Sequence, residues 1–179
     1  MRWIKPILLV GWLGFMACEI HEPIFDNSLD LEAADSKGIV PPAIVFFPDR
    51  VEASYGKPAN VDVYAMKVDN VGMAQIPIHY DAAKLAVISV TAGSLFSDEN
   101  PPFFVTDNDT ENGILTIYIT FLGANSKSVG GTGDIANIEF SAKSSGEASI
   151  LISQETIILD SSANELSLKA FGKGIIDVR

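Results

Sequence analysis

The sequence predicts an all-β sandwich, and three observations carry that prediction. Short apolar or alternating runs follow one another from Ala43 to Val178, about eight to ten of them. Turn-forming groups separate them at regular spacing: Pro48-Asp49, Tyr55-Gly56-Lys57-Pro58, Asp69-Asn70-Val71-Gly72, Asp107 to Gly113, and Ser144-Ser145-Gly146. No apolar run in that region has the length of a helix. Many short strands joined by polar turns form two packed sheets.

Taken in order, Ala43 to Phe47 is an apolar strand stopped by Pro48, and Val51 to Ser54 continues it after a bend. Asn60 to Val68 alternates, with Val61, Val63, Ala65 and Val68 inward. Met73 to Tyr80 alternates again, placing Ile76, Ile78 and Tyr80 on one face and Gln75, Pro77 and His79 on the other. Pro77 lacks an N–H, so its strand is expected to be an edge or to carry a bulge there. Asp81 to Lys84 is a corner too short for a helix, and Leu85 to Val90 returns to the turn at Ala92-Gly93-Ser94. Phe103 to Thr106 is a short strand. Ile114 to Phe121 is the clearest one, with Leu115, Ile117, Ile119 and Phe121 inward and Thr116, Tyr118 and Thr120 outward. Gly123 to Gly133 reads as a Gly/Ser-rich loop. Strands at Ile135 to Ala142, Ala148 to Ser153, Thr156 to Leu159, Glu165 to Ala170 and Ile175 to Val178 complete the domain.

Three motifs then carry a family resemblance. The first is Tyr80-Asp81, Leu85, Ser89-Val90 and Gly93-Ser94-Leu95. The second is Gly131 to Phe140, GTGDIANIEF, and the third is Ile158 to Leu166, ILDSSANEL. In this order and spacing they resemble the cohesin domain, over roughly residues 40–179. The resemblance implies a nine-stranded sandwich of jelly-roll topology that binds a dockerin module across a flat sheet face. It implies a partner-binding set drawn from the strand before Tyr80-Asp81 and its neighbours: Met73, Gln75, Pro77, His79, Lys84, Tyr118, Thr120 and Asn125, with Ala83 and Ser126 at the border. Better-known cohesins carry Asn and Asp where this chain has Met73 and Gln75. Met is an adaptable apolar filler and Gln both donates and accepts, so pairing specificity is expected to differ. Calcium in this family belongs chiefly to the dockerin.

The N-terminus reads as an export signal. Arg2 and Lys5 form its positive end, Ile7 to Met16 its apolar run, and Ala17-Cys18 its close. The run is too short to span a bilayer as a settled helix. The chain's one cysteine stands at the cleavage point, as in bacterial lipoproteins, where it is lipidated; Phe15 replaces the usual Leu. Residues 1–17 are thus expected to be a signal peptide, 18–42 a lipidated tether and 43–179 the cohesin-like domain. Glu19 after the cysteine resembles the signal for the outer membrane rather than the inner one. Within the tether, Phe25 to Ser28 is expected to cap a short helical stretch through Leu29, Leu31 and Ala34, with loose docking through Ile24, Phe25 and Leu29. With Cys18 lipidated no disulfide is available, so the core must supply stability.

Composition excludes several functions. Net charge is −11, from 23 acidic and 12 basic residues, and loss of Arg2 and Lys5 takes it to −13. The basic residues are scattered, which argues against a nucleic-acid interface. The two histidines, His21 and His79, lie far apart, and no Ser sits in an elbow motif, so no nucleophilic arrangement is singled out. Zinc has no ligand set. Asp107, Asp109 and Glu111, with Asn108, form a weak calcium candidate of hard oxygen ligands. Gly113 is not where an EF-hand needs its turn, and a solvated hairpin is the alternative. The rival to a protein partner is carbohydrate, stacked on Tyr55, Tyr64, Tyr118, Phe103 or Phe104. Both tryptophans, Trp3 and Trp12, fall in the signal. The expected protein is therefore a non-catalytic, lipid-anchored module binding a dockerin-bearing exported protein, with polysaccharide degradation or surface attachment as its setting; the alternatives are a carbohydrate-binding module and a structural lipoprotein on a cohesin-like scaffold.

Overall fold

A computed structural model describes residues 24–27, 31–96, 102–121 and 128–179. Among these residues the chain forms one short α-helix, α1 (Leu31–Ser36), a 3-10 turn (Ser94–Phe96) and eleven strands. The strands are β1 (Ala43–Phe47), β2 (Arg50–Ala53), β3 (Pro58–Tyr80), β4 (Leu85–Ala92), β5 (Phe103–Asp109), β6 (Ile114–Thr120), β7 (Val129–Ala142), β8 (Gly146–Ile152), β9 (Ile157–Asp160), β10 (Ala170–Phe171) and β11 (Lys173–Val178). The all-β sandwich expected from the sequence is the observed architecture. Eleven segments stand where nine strands were expected, and the runs expected at 60–68 and 73–80 are one continuous strand, β3. The first strand breaks at Pro48-Asp49 into β1 and β2, and the last breaks at Gly172 into β10 and β11.

The backbone of the fold is β3, which serves both layers. Its first half pairs with β1 and β7, and its second half with β6, β8 and β9. Between them the ladder to β7 slips twice, and Lys67 and Asn70 take left-handed φ values of 49° and 55°. The turn expected at residues 69–72 is thus a bulged bend inside one strand. One layer runs β4-β7-β3-β1-β10, and the other runs β5-β6-β3-β8-β11-β2, with β9 beside β8 along β3. On the closing edge both terminal strands change layer together: β10 lies parallel to β1, and β11 parallel to β2. Gly172 is required at that crossing, because a Cβ there would meet the Val45 Cα at 2.5 Å.

The inward phases predicted from alternation fill the core. Val61, Val63 and Ala65 from the first half of β3, Ile76 and Ile78 from its second half, Leu115, Ile117 and Ile119 from β6, and Ile138 and Phe140 from β7 are all buried together. Each such side chain contributes about 1.5–3 kcal/mol by leaving water. Two readings are corrected. Val129 to Gly133 is not loop but the start of β7, because its glycines still find partners across the bend of β3. Except for Ala170, which opens β10, Glu165 to Ala170 is not a strand. It crosses between layers, so its amides go to different sheets, Leu166 to the Ile158 carbonyl and Lys169 to the Pro42 carbonyl, both at 2.8 Å.

The motifs behind the resemblance act as joints. Ser94 donates its amide at 2.8 Å, and its hydroxyl, to the Asp134 carboxylate, which ties the two glycine-rich motifs together. Asp160 closes the third by accepting the amides of Ser162 and Asn164, each at 2.8 Å. Ala163 sits in that turn at φ 63°. A left-handed alanine costs more than a left-handed glycine. Ala163→Gly is therefore expected to raise stability by about 0.5 kcal/mol in a urea melt.

Carboxylates held in this way link stability to acid. Partial burial pushes the Asp134 carboxyl up, but the Ser94 bonds outweigh it and the group lies below the ordinary range. The Asn164 side chain, then backbone donors, lower Asp160. Asn112 does the same for Asp109. For depressed carboxyls the stabilisation is complete above the unfolded value of about 3.9 and is lost as pH falls through the lower folded values. The melting temperature should hold from pH 7 to about 5 and fall below about 4. Asp160→Asn should make that fall shallower.

Candidate partner-binding face

The outer face of the β5-β6-β3-β8/β9 layer gathers most of the predicted site. Register places Phe103, Thr120, Met73 and Leu159 in one row across β5, β6, β3 and β9. The next row is Val105, Tyr118, Gln75 and Ile157. Asp107, Thr116 and Pro77 follow, then Asp109, Ile114, His79 and Leu151. Phe103, Val105, Tyr118, Leu151 and Ile157 are 37–51% exposed, a concentration of large apolar side chains on one face. Met73, Gln75 and Thr120 are half-buried among them, and His79 is exposed. Such a grouping, rather than a lone exposed apolar residue, marks a contact surface.

The elements beneath hold these side chains still. The β5–β6 hairpin is pinned to β3 at its tip. Tyr80 donates its hydroxyl to Asn108 Oδ1 at 2.9 Å and its amide to the Gly113 carbonyl at 2.8 Å. Gly113 has φ 66°, and a Cβ on it would approach the Tyr80 oxygen to 2.3 Å, so only glycine fits. Asp109 closes the turn, accepting the amides of Glu111 and Asn112 at 3.1 Å and the Asn112 side chain at 2.7 Å.

Pro77 departs from expectation. It is neither at an edge nor in a bulge, and its side chain is buried. Its carbonyl accepts the Ser153 amide at 2.9 Å. The N–H and C=O of a strand residue point to the same side, so the missing N–H faces the place where the neighbour of β3 changes from β9, at Gln75, to β8, at Ile78. No ladder bond is lost there. Lys84 lies in the corner past Tyr80, its ammonium on the Glu147 carbonyl at 2.7 Å. It borders the β8 end of the sheet rather than the apolar rows. Asn125 and Ser126, like Cys18 and the expected signal peptide, lie outside the described residues.

The calcium candidates are not brought together as a cage. The Asp109 carboxylate is engaged by its own turn, and Asp107 projects outward along β5. Among the described residues no three His, Cys, Asp or Glu side chains are grouped to hold a metal. The carbohydrate candidates are likewise divided. Tyr64 stacks on Phe47 at 4.8 Å on the other layer, Tyr55 lies in a turn, and Phe104 packs against the core. Only Phe103 and Tyr118 of that set share the exposed face, on diagonal positions. Val105, Ile114, Leu151, Ile157 and Leu159 were missed as site residues by sequence reasoning. Alternation did not single them out, because Phe103-Phe104-Val105 and Ile157-Ile158-Leu159 are apolar in both phases.

No curated protein matches the chain. Among solved structures it is similar to a non-cellulosomal cohesin from Archaeoglobus fulgidus, with 20% identity, TM-score 0.63, and coverage of 76% of this chain and 90% of that one. It is similar to the sixth cohesin of scaffoldin B from Acetivibrio cellulolyticus, solved in complex with a mutant Cel5 dockerin. The values there are 24% identity, TM-score 0.63, and coverage of 76% and 98%. A type I cohesin–dockerin complex from Clostridium thermocellum gives 19%, 0.62, and 76% and 98%. These likenesses describe the fold. The family model for the cohesin domain matches residues 44–178, most of the chain, and the chain belongs to the cohesin family.

Proposed function

We propose that this protein is a non-catalytic docking module whose β5-β6-β3-β8/β9 face binds a dockerin-bearing protein. The observation that carries the reading is the exposed apolar group around Tyr118, set on a rigid sheet. Family membership and the dockerin complexes among similar folds supply the partner class. A dockerin laid on this face would bury about 1,200–2,000 Å² in total. The apolar rows supply affinity, and polar residues at the margin supply selection. Asp107, Asp109 and Glu111 make the β5 margin acidic. Basic residues on the partner would therefore speed association more than they strengthen the complex. The association rate should fall several-fold between about 0.05 and 0.5 M salt while dissociation changes little. An unchanged association rate would remove the acidic margin from the account.

The reading extends to placement. Lipidation at Cys18 would hold the module on a bacterial membrane, the outer one by the signal at Glu19, and so bring exported dockerin-bearing proteins to the surface, polysaccharide-degrading enzymes among them. Support comes from the sequence signal alone. Calorimetry of the purified chain with a calcium-loaded dockerin tests the docking. Fatty-acid labelling of cells, abolished by Cys18→Ser, tests the anchor independently. Absence of heat with every dockerin of the source organism would leave a cohesin fold put to another use.

A further inference from the structure

Residues 24–27 and 31–39 precede the stretch that matches the cohesin family, 44–178, yet they are built into the fold. Phe25, Ala33 and Ala34 are buried with Ala43, Val45 and Met66 in a second apolar cluster, separate from the core between the sheets. Alternation explains its position. On β1, Ile44 and Phe46 point into the main core, so Ala43, Val45 and Phe47 point out; on β3, Ala65 points in, and Tyr64 and Met66 point out. The outer surface of the β1–β3 layer is thus apolar, and the preceding chain covers it. Phe25 meets the Phe47 ring edge-on at 5.6 Å, and Phe47 stacks on Tyr64.

Apolar contact alone does not fix a segment in register; Asp49 does. It lies at the break between β1 and β2 and is buried. Its Oδ1 accepts the Phe25 amide at 2.7 Å, and its own amide donates to the Phe25 carbonyl at 3.1 Å. Its second carboxylate oxygen pairs with the Lys37 ammonium from the far end of the segment. One residue therefore grips both ends of the covering chain, and its carbonyl in turn accepts the Ile175 amide from β11 at 2.8 Å.

We propose that residues 24–27 and 31–39 form a self-docked clasp, latched by Asp49, that covers the outer face of the β1–β3 layer and leaves partner docking to the opposite layer. The clasp belongs to the folded unit, whereas the family body begins only at β1. Whatever holds the chain upstream of Ile24 then pulls on a fixed point of the domain rather than on a loose leader. The inference stands independently of which partner binds.

Hydrogen exchange on the full chain tests it, read by peptide for residues 24–39 and for β6. In the unaltered chain the amides of Phe25 and residues 34–39 should exchange at least about tenfold slower than unstructured peptide. Phe25→Ala and Asp49→Ala should each bring residues 24–39 to within about threefold of the unstructured rate while β6 keeps its protection. Lys37→Ala, which removes only the ion pair, reads the latch if Asp49→Ala unfolds the domain, and should give a partial gain in rate confined to the segment. Unstructured rates in the unaltered chain would overturn the proposal. So would protection of residues 24–39 that survives both Phe25→Ala and Lys37→Ala.

Discussion

Tyr118→Ala is expected to weaken dockerin binding by about 2–4 kcal/mol, roughly 30- to 1,000-fold, without lowering the melting temperature. Tyr118 occupies the middle of the exposed face, between Val105 on β5 and Gln75 on β3. Its ring is more than a third exposed, so the free protein gains little from it. Buried under a partner, an aromatic residue at the centre of an interface is the usual place for binding energy to concentrate. Val105→Asp is the companion substitution. It sets a charge inside the apolar rows, where a docked partner would have to desolvate it, and should reduce binding at least as far. Calorimetry measures both, and thermal melts separate them from unfolding. A Tyr118→Ala protein that binds within threefold of the parent would move the docking surface elsewhere.

A large effect on stability is expected at Gly93. A Cβ added there would lie 2.3 Å from the Asp134 carbonyl oxygen, and the contact is with backbone, which has no rotamer to change. The Gly93 amide also donates to the Ile135 carbonyl at 2.7 Å. Gly93→Ala must push β7 away or surrender that bond, at a cost of about 3 kcal/mol or more. For a domain of this size that is roughly a 10 °C loss in melting temperature. Ser94→Ala, which removes only the hydroxyl bond to Asp134, should cost about 1 kcal/mol. An equal loss from the two would mean that the joint depends on the carboxylate rather than on the close approach.

These two sites show what the sequence made legible. Alternation gave the inward phase of Ile76, Ile78 and Tyr80 and of Leu115, Ile117 and Ile119, because a one-residue slip would turn an apolar face to water. The Gly93-Ser94-Leu95 and Gly131 to Asp134 motifs marked the family, but as joints of the scaffold; the residues free to choose a partner lie between them. Met73, Gln75, Tyr118 and Thr120 were placed on the β5-β6-β3 face by carrying over the family's binding strand and its neighbours. Val105 and Ile157 were not, since their exposure depends on which strands sit side by side, and that pairing is non-local. Pro77 misled because its missing N–H is judged against a neighbour that changes strand at that point. Glu165 to Ala170 looked like a strand by composition, yet its amides serve two layers. The docking expected through Phe25 is observed, whereas Ile24 is exposed and Leu29 lies outside the described residues; the grip of Asp49 on that segment was not legible, for a lone carboxylate in a turn carries no period.

The most direct test of the docking account is a hydrogen-exchange footprint of the full chain with and without a saturating calcium-loaded dockerin. The account predicts added protection in residues 103–109, 114–120, 73–79 and 157–159, with β4 and residues 24–39 unchanged, and loss of the footprint on chelation. Protection that appears instead on β4 and β7, or over the clasp, would contradict it.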